Sequence, residues 1–550
     1  MSKKIVIVGG VAGGATTATK LRRLDEQAEI IMYERGEFIS FANCGLPYHI
    51  SGVIEERSKL LVQTVKGMET RYNIKIRNYT EVKSIHPENK KITAQNLKTG
   101  ETFEDSYDVL ILSPGAKPIV PPIEGLRSRN VFKLRNIPDM DKIKSYLDEK
   151  KPGNAVVIGG GFIGLEMAEN LAEAGLSVTI VEKSTQVMGP VDLEMAAIVE
   201  DHLRANGVEL ILGDGIQDVL DNGSEVLLES GKSLKSDIII LAIGVMPENG
   251  LAKDAGLELG ERGGIKVNGH LQTSDESIYA LGDAIEVTDF VNGKPTMIPL
   301  AWPANRQAHI VAHHINGKDI TYPGTMGTSI VKVFDLTAAV TGNNEKTLKR
   351  LGIPYEAVHI HPLSHAGYYP GAEAISLKLI FDKKTGKIFG AQAVGKDGVD
   401  KRIDVISTAI KGGLTVHELQ ELELAYAPPF SSAKDPVNMA GYVAANIMDG
   451  MFETIHWHEV DELIANGGYL VDVRTDKECA NGCIAGSVNI PLDELRDRLD
   501  ELPKDKTILI TCQVGLRGYL ASRILSQNGF RVKNLTGGFK TYSMYKKYHQ

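Results

Sequence analysis

Short runs of β-branched and aliphatic residues, each closed by glycine and followed by helically spaced apolar positions, recur along the first half of the chain. One is Lys4-Ile-Val-Ile-Val-Gly-Gly-Val-Ala-Gly-Gly14; a second is Ala155-Val-Val-Ile-Gly-Gly-Gly-Phe-Ile-Gly164. Each predicts a strand buried on both faces, a tight turn and a helix. The next strand in each case, Glu29 to Glu34 and Ser177 to Glu182, ends on an acid. The runs Tyr107 to Gly115 and Asp237 to Gly244 predict buried strands that cross between two such units, the second inserted in the first. Thr273 to Asp283 predicts a further strand ending in Gly282-Asp283. Beyond residue 325 the pattern turns to mixed strands and helices, and after Asp449-Gly450 a last block of about 100 residues begins. The fold class expected is α/β. Residues 1–112 and 247–325 form the first unit, 113–246 the second, 326–447 an α+β domain and 455–550 a final α/β domain.

A glycine cluster between strand and helix, with an acid ending the following strand, is the opening of a dinucleotide-binding unit. The glycines let the backbone approach a pyrophosphate and the acid accepts ribose hydroxyls. A lone copy is weak evidence; two copies with strand, helix and acid in place are not. The second has full spacing, Gly159, Gly161 and Gly164. The first, with Gly9, Gly10, Gly13 and Gly14, carries Val11 where the second glycine would stand.

Composition narrows the class. The chain has 61 Lys+Arg against 70 Asp+Glu, a formal charge of −9, so nucleic acid and anionic membranes are not expected partners. Its longest apolar stretch, Ile238 to Met246, is about half of what a membrane span needs. Four cysteines, Cys44, Cys479, Cys483 and Cys512, cannot staple a chain of 550 residues, and such sparse use suits a reducing cytoplasm.

A lone cysteine is more often a small buried hydrophobe than a reactive group. Cys44 differs: it closely follows the first nucleotide unit, Asn43 and Gly45 flank it, and a helix predicted to start beside it would stabilise a thiolate. The segment Ser40-Phe-Ala-Asn-Cys-Gly-Leu-Pro-Tyr48 resembles the flavin-dependent pyridine nucleotide–disulfide reductases, within them the single-cysteine coenzyme A disulfide reductases, over about residues 1–445. The resemblance implies FAD on the first unit, at Gly9, Gly14, Glu34, Ser113, Gly115, Gly282 and Asp283. It implies a nicotinamide dinucleotide on the second, at Gly159, Gly161, Gly164, Glu182 and Gly244. Glu182 would bond NAD ribose hydroxyls and repel a 2′-phosphate, which favours NADH; Lys183 beside it leaves NADPH open. Dithiol members carry a second cysteine five positions on, where this chain has His49, so Cys44 would react alone. Members that reduce peroxide or oxygen usually carry a histidine in the first loop, where this chain has Ala12. Tyr368 and Tyr426 match a pair supplied by the partner subunit of a homodimer, and a phenol could protonate a departing thiolate. His49 and His365 read as structural. Lys20 and Arg23, with Thr16, Ser40, Asn43, Asn305, Lys434 and the weaker Arg71, are the candidates for contact with coenzyme A, as substrate or as bound thiol.

The last block carries a second centre. Cys512 follows a buried run and opens a loop, through Gln513-Val-Gly-Leu-Arg517, into a helix. Such a loop can aim backbone N–H groups and a helix dipole at one anion and so stabilise a persulfide, with Arg517 holding an anionic donor. The block resembles a single rhodanese domain over about residues 455–550, although Cys483 stands where a histidine is frequent. Cys479 and Cys483 lack further metal-ligand partners in sequence and read as structural.

Taken together, these readings predict an NADH-dependent flavoprotein that reduces the sulfur–sulfur bonds of coenzyme A persulfide, polysulfide or coenzyme A disulfide at Cys44, with Cys512 carrying sulfane sulfur. Three other readings fit less of the chain: an NADH oxidase or peroxidase using a Cys44 sulfenic acid, a sulfurtransferase whose thiols the reductase regenerates, and a flavin-bound redox sensor.

Overall fold

The computed structural model describes residues 3–547, which divide into two compact units. The first holds residues 3–185 and 207–327. Its central sheet is five-stranded and parallel, in the order Ile278–Ala280, Val109–Leu112, Lys4–Val8, Glu29–Tyr33, Lys75–Arg77. Strand Lys4–Val8 lies in the middle with Ile5, Val6 and Ile7 at most 1% exposed, as a continuous apolar run requires of a strand covered on both faces. A second five-stranded parallel sheet runs Glu209–Leu212, Ser177–Glu182, Asn154–Ile158, Ile238–Leu241, Val131–Lys133. The two runs read as crossovers are the inner strands Val109–Leu112 and Ile238–Leu241. Beyond them Ala116–Pro118 and Val245–Pro247 pair antiparallel, joining the outgoing and returning chain. A three-stranded antiparallel sheet flanks each half.

The second unit holds residues 186–206 and 328 onward. A five-stranded antiparallel sheet, in the order Ser329–Val333, Leu336–Gly342, Ile388–Gly395, Ile375–Phe381, Glu356–Ile360, carries the helices Val399–Gly412 and Pro436–Met448. The C-terminal block is a five-stranded parallel sheet in the order Glu453–Ile455, Arg531–Leu535, Thr507–Thr511, Tyr469–Asp472, Val488–Asn489. The antiparallel sheet holds this block through polar contacts: Thr536 accepts from the His359 amide at 2.8 Å, Thr541 Oγ1 meets His361 Nε2 at 2.9 Å, and His456 Nε2 pairs with Glu356 at 3.2 Å.

One segment departs from the linear order. Residues 186–206, which the sequence places within 113–246, pack in the second unit. Its helix buries Met195, Ala196, Val199 and Leu203 there, and charge fixes its start. Asp192 and Glu194, at the start of helix Leu193–Ala205, meet the fully buried Lys378 of the antiparallel sheet together with Glu345. The three carboxylates could as a group hold a metal ion, but Lys378 Nζ stands among them as the counter-ion. Their charges hold the Lys378 ammonium far above its usual range, and it in turn holds Glu194 and Glu345 far below theirs, each against the penalty of burial. His359 Nε2 adds a contact to Glu194 at 2.8 Å.

Candidate active site

In the first unit both glycine loops are built as the spacing predicts. Ser113 follows strand Val109–Leu112 and its amide donates to Val8, closing the loop's floor. Gly14 opens the first helical turn so close to the Gly9 carbonyl that any Cβ there would collide with it. Both Glu34 oxygens are tied to the loop, Oε2 by the Gly10 amide at 2.9 Å and Oε1 by the Gly36 amide at 2.7 Å. The second loop repeats this: Glu182 accepts from the Gly160 amide at 2.7 Å and the Ser184 amide at 2.7 Å. Gly161 has nothing within 4 Å of its Cβ position, so the backbone there faces open space. Lys183, the residue that left NADPH open, is engaged by Glu229 at 2.8 Å.

A cleft of about 450 Å³ runs along the first loop, lined by Gly9, Gly10, Gly13, Glu34, Ser113, Gly115, Gly282, Asp283 and Asn43. That size and this mixture of amides and carboxylates suit an elongated cofactor. The Gly282 amide is fixed by Gln307 Oε1 at 2.8 Å, and burial pushes the Asp283 carboxyl upward.

Cys44 follows Asn43, which lines the cleft, in a single 3-10 turn, Asn43–Gly45, ahead of the short helix Leu46–Ile50. Its thiol is exposed on one side. Contrary to the depressed thiol expected at a helix N-terminus, its pKa is raised, first by burial on the protein side and then by Glu166 and Asp283. Five residues of helix give a weak dipole, and the facing carboxylates outweigh it. Glu166 lies on helix Phe162–Glu173, which packs on the helix behind Cys44; Ser51 Oγ donates to Asn170 of the same helix at 2.6 Å. Burial and Glu169 push the Glu166 carboxyl up to about 7, and burial and then Glu166 raise Tyr48.

Helices Ala12–Leu24 and Ala301–Ile315 pack side by side and join several of the proposed coenzyme A contacts: Thr16 Oγ1 donates to Asn305 Oδ1 at 2.7 Å. Lys20 and Arg23 share this face with Arg306, His309 and His313. Burial and then neighbouring positive charge, including Lys20, depress both histidines. Ser40 sits in the left-handed region at φ 44°, its amide on the Gly10 carbonyl at 2.8 Å. Arg71 is exposed on helix Val65–Tyr72, whose Tyr72 carbonyl accepts from Arg22.

The second unit brings the two tyrosines together. Tyr368 and Tyr426, 58 residues apart, share a hydroxyl–hydroxyl hydrogen bond of 2.9 Å and are both exposed. That bond raises the Tyr368 phenol. Lys434 stands over the Tyr442 ring at 5.4 Å.

Cys512 is 1% exposed at the end of strand Thr507–Thr511, and its Sγ accepts from the Gly515 amide at 3.1 Å. The helix Leu516–Gln527 follows. Behind the loop, buried Arg474 grips Asp472 through Nε and Nη2, donates to the Gly482 carbonyl at 2.8 Å and lies over the Phe539 ring at 4.1 Å.

Two domain families match the reductase part: pyridine nucleotide-disulphide oxidoreductase over residues 3–308 and its dimerisation domain over 328–436. A rhodanese-like domain matches 456–545. The coenzyme A disulfide reductase of Staphylococcus epidermidis is 41% identical over 80% of this chain and 99% of its own. The chain belongs to the pyridine nucleotide-disulphide oxidoreductases. It is an FAD-dependent enzyme of that family, which works with NAD(H). Among solved structures, reduced Bacillus anthracis CoADR-RHD is 61% identical at TM-score 0.99, covering 100% of this chain and 99% of its own. The NAD-dependent persulfide reductase of A. fulgidus is 39% identical at TM-score 0.92, over 98% and 100%. A water-forming NADH oxidase from Lactobacillus brevis is 26% identical at TM-score 0.79, over 82% and 100%.

Membership directs attention to residues that the sequence reading passed over. Glu166 follows Gly164 by two positions on the helix that the second loop opens, where nothing in the sequence singles it out. Glu478, equally unmarked in the sequence, holds Arg517 through two hydrogen bonds of 2.6 and 2.7 Å. Cys483 is exposed and so is no packed core residue, unlike the structural role expected of it; Cys479 is partly buried, its thiol pushed up to about 11 by burial and Asp472. His49, with Nδ1 2.6 Å from the Ile54 carbonyl, and the buried His365 are held within their own loops. No helix among the described residues is long and apolar enough to cross a membrane.

Proposed function

We propose that this oxidoreductase uses NADH to reduce coenzyme A persulfide, and more slowly coenzyme A disulfide or polysulfide, with Cys44 as the sulfur nucleophile and Cys512 as the carrier of sulfane sulfur. The observation that supports it best is an exposed free cysteine directly after Asn43 of the cleft's lining, in one chain with a second cysteine held in a rhodanese loop. A disulfide reductase alone needs no sulfur carrier. The match with a persulfide reductase over nearly the whole chain points the same way.

Gly9, Gly10, Gly13, Gly14, Glu34, Ser113, Gly115, Gly282 and Asp283 would hold FAD, and Gly159, Gly161, Gly164, Glu182 and Gly244 the nicotinamide dinucleotide. Glu182 and the engagement of Lys183 by Glu229 favour NADH. The chemistry that FAD would supply when held there is two-electron transfer between NADH and the Cys44 sulfur. The Cys44 thiolate attacks the inner sulfur of coenzyme A persulfide; hydrosulfide leaves and a Cys44–coenzyme A mixed disulfide forms. Two electrons and a proton then restore the thiolate and free coenzyme A. Thr16, Lys20, Arg23, Ser40, Asn43, Asn305, Arg71 and Lys434 would bind the coenzyme's phosphates and arm. Tyr368 and Tyr426, acting across a homodimer, would give the leaving sulfur its proton, the shared hydrogen bond holding the two phenols as one unit. A reducing cytoplasm would keep all four cysteines as thiols.

The test is anaerobic NADH turnover with coenzyme A disulfide, coenzyme A persulfide and polysulfide, in wild type, Cys44→Ser and Cys512→Ser. Equimolar sulfide per NADH is expected with the persulfide, none with the disulfide, and loss of all three activities in Cys44→Ser. Cys512→Ser should slow polysulfide turnover alone; an unchanged rate would remove the sulfur carrier from the mechanism.

A further inference from the structure

At the mouth of the Cys512 loop the guanidinium of Arg517 is not free to greet an anion. Both terminal nitrogens are bound by Glu478, at 2.7 and 2.6 Å. Glu478 is itself fixed, its Oε2 accepting from the Thr475 amide at 3.0 Å and the Thr475 hydroxyl at 2.9 Å in the capping box of helix Asp476–Ala480. Its side chain is 34% exposed, so the carboxylate stays at the surface where a donor arrives. Asp472 and Arg474, behind the loop, cancel each other. With Cys512 as thiolate, Glu478 leaves this entrance with a net negative charge. The first two apolar positions of the following helix, Leu516 at 64% and Leu520 at 44% exposure, lie one turn apart beside it.

We propose that Glu478 sets the donor choice of the Cys512 loop, admitting an organic thiol that carries a sulfane sulfur and disfavouring a small inorganic dianion such as thiosulfate. The inference rests on the reading of Cys512 as a sulfur carrier and names its donor class. In the step itself the Cys512 thiolate attacks the outer sulfur of R–S–SH, the S–S bond breaks, R–S⁻ leaves with the electron pair and Cys512–S–SH forms, with no net oxidation. Cyanide then takes the outer sulfur as thiocyanate and returns the thiolate. At the reacting end a dianionic donor brings two charges against the entrance and a persulfide one or none, because the phosphates of coenzyme A lie at the far end of its arm, beyond about a Debye length, and the exposed leucines give that arm a surface to lie on.

The experiment measures thiocyanate formation by the full chain from thiosulfate and from coenzyme A persulfide, in wild type, Glu478→Gln and Glu478→Asp, at low and high salt. Glu478→Gln should raise kcat/KM for thiosulfate by about tenfold and for the persulfide by about threefold or less, following the donor charges. Glu478→Asp, which keeps the charge, should keep the wild-type ratio. Added salt should speed the thiosulfate reaction of wild type more than that of Glu478→Gln. A donor ratio that is unchanged or falls in Glu478→Gln, an equal loss with both donors, or a shift as large in Glu478→Asp would overturn the proposal. NADH-dependent sulfide release, followed in the same variants and in Cys512→Ser, reports separately on the relay to Cys44, so a failed relay and a failed donor choice give different results.

Discussion

At the scale of single residues, Cys44 is governed by its neighbours more than by its helix. The Glu166 carboxylate disfavours the thiolate, so removing its charge should favour it. Glu166→Gln is expected to move the pH midpoint of Cys44 alkylation downward, read from iodoacetamide rates in the enzyme as isolated; an upward move would mean that Glu166 acts through structure rather than charge. The raised carboxyl also fixes a sign. An acid whose folded pKa lies near 7 binds more protons folded than unfolded between its ordinary value and 7, so it costs stability as pH rises through that window. In Glu166→Gln the fall in melting temperature from about pH 5 to pH 8 should be shallower than in wild type. The paired tyrosines act as one unit. Tyr368→Phe and Tyr426→Phe should each lower kcat by about tenfold, and the double variant by little more than the worse single one, as expected of groups sharing one proton.

Among the elements, the two glycine loops separate structural from ligand-facing positions. A methyl group on Gly14 meets the Gly9 carbonyl, whereas one on Gly161 meets nothing. Gly14→Ala should destabilise the first unit by about 1–3 kcal/mol. Gly161→Ala should leave the melting temperature unchanged and lower kcat/KM for NADH by about tenfold, since the methyl would occupy the pyrophosphate's approach. If instead Gly161→Ala melted early with an unaltered KM for NADH, the loop's role would be architectural. These loops were legible in the sequence because everything they need is local: strand, glycines, helix and acid lie within one short stretch. The rhodanese loop was legible for the same reason. What escaped is non-local or depends on sign. The Tyr368–Tyr426 bond spans 58 residues and followed only from resemblance. The Glu478–Arg517 pair spans 39, with nothing in spacing to join them. The direction of the Cys44 shift escaped because sequence displays a helix start but neither the burial of the thiol nor the acids that fold against it.

Across the whole molecule, the seating of the rhodanese block depends on charge. His456 is raised above its usual value by Glu356, although burial opposes it. A histidine raised on folding contributes stability that is complete below its unfolded pKa and lost as pH rises through the folded one. The second unit should therefore lose stability from about pH 6.5 upward, and His456→Asn should flatten the profile while lowering stability on the acid side. A differential scanning experiment on wild type and variant checks both. Lys378 sets a larger stake, since replacing it with Met would strand three buried carboxylates. That should cost about 3–5 kcal/mol, measured by denaturant unfolding.

That same lysine bears on how the chain can be taken apart. Because it claims Asp192 and Glu194 from a segment flanked on both sides by the first unit, the polypeptide passes between units at 185/186, 206/207 and 327/328. No single cut liberates a nucleotide-binding half. A fragment ended at 327 would carry helix Leu193–Ala205 with its apolar residues uncovered and two acids without their cation, and should aggregate or be trimmed by proteases. Helix Leu193–Ala205 therefore reaches its finished packing only after a residue some 180 positions downstream has been synthesised, so during translation it waits, between two stretches of the first unit, on a sheet not yet made.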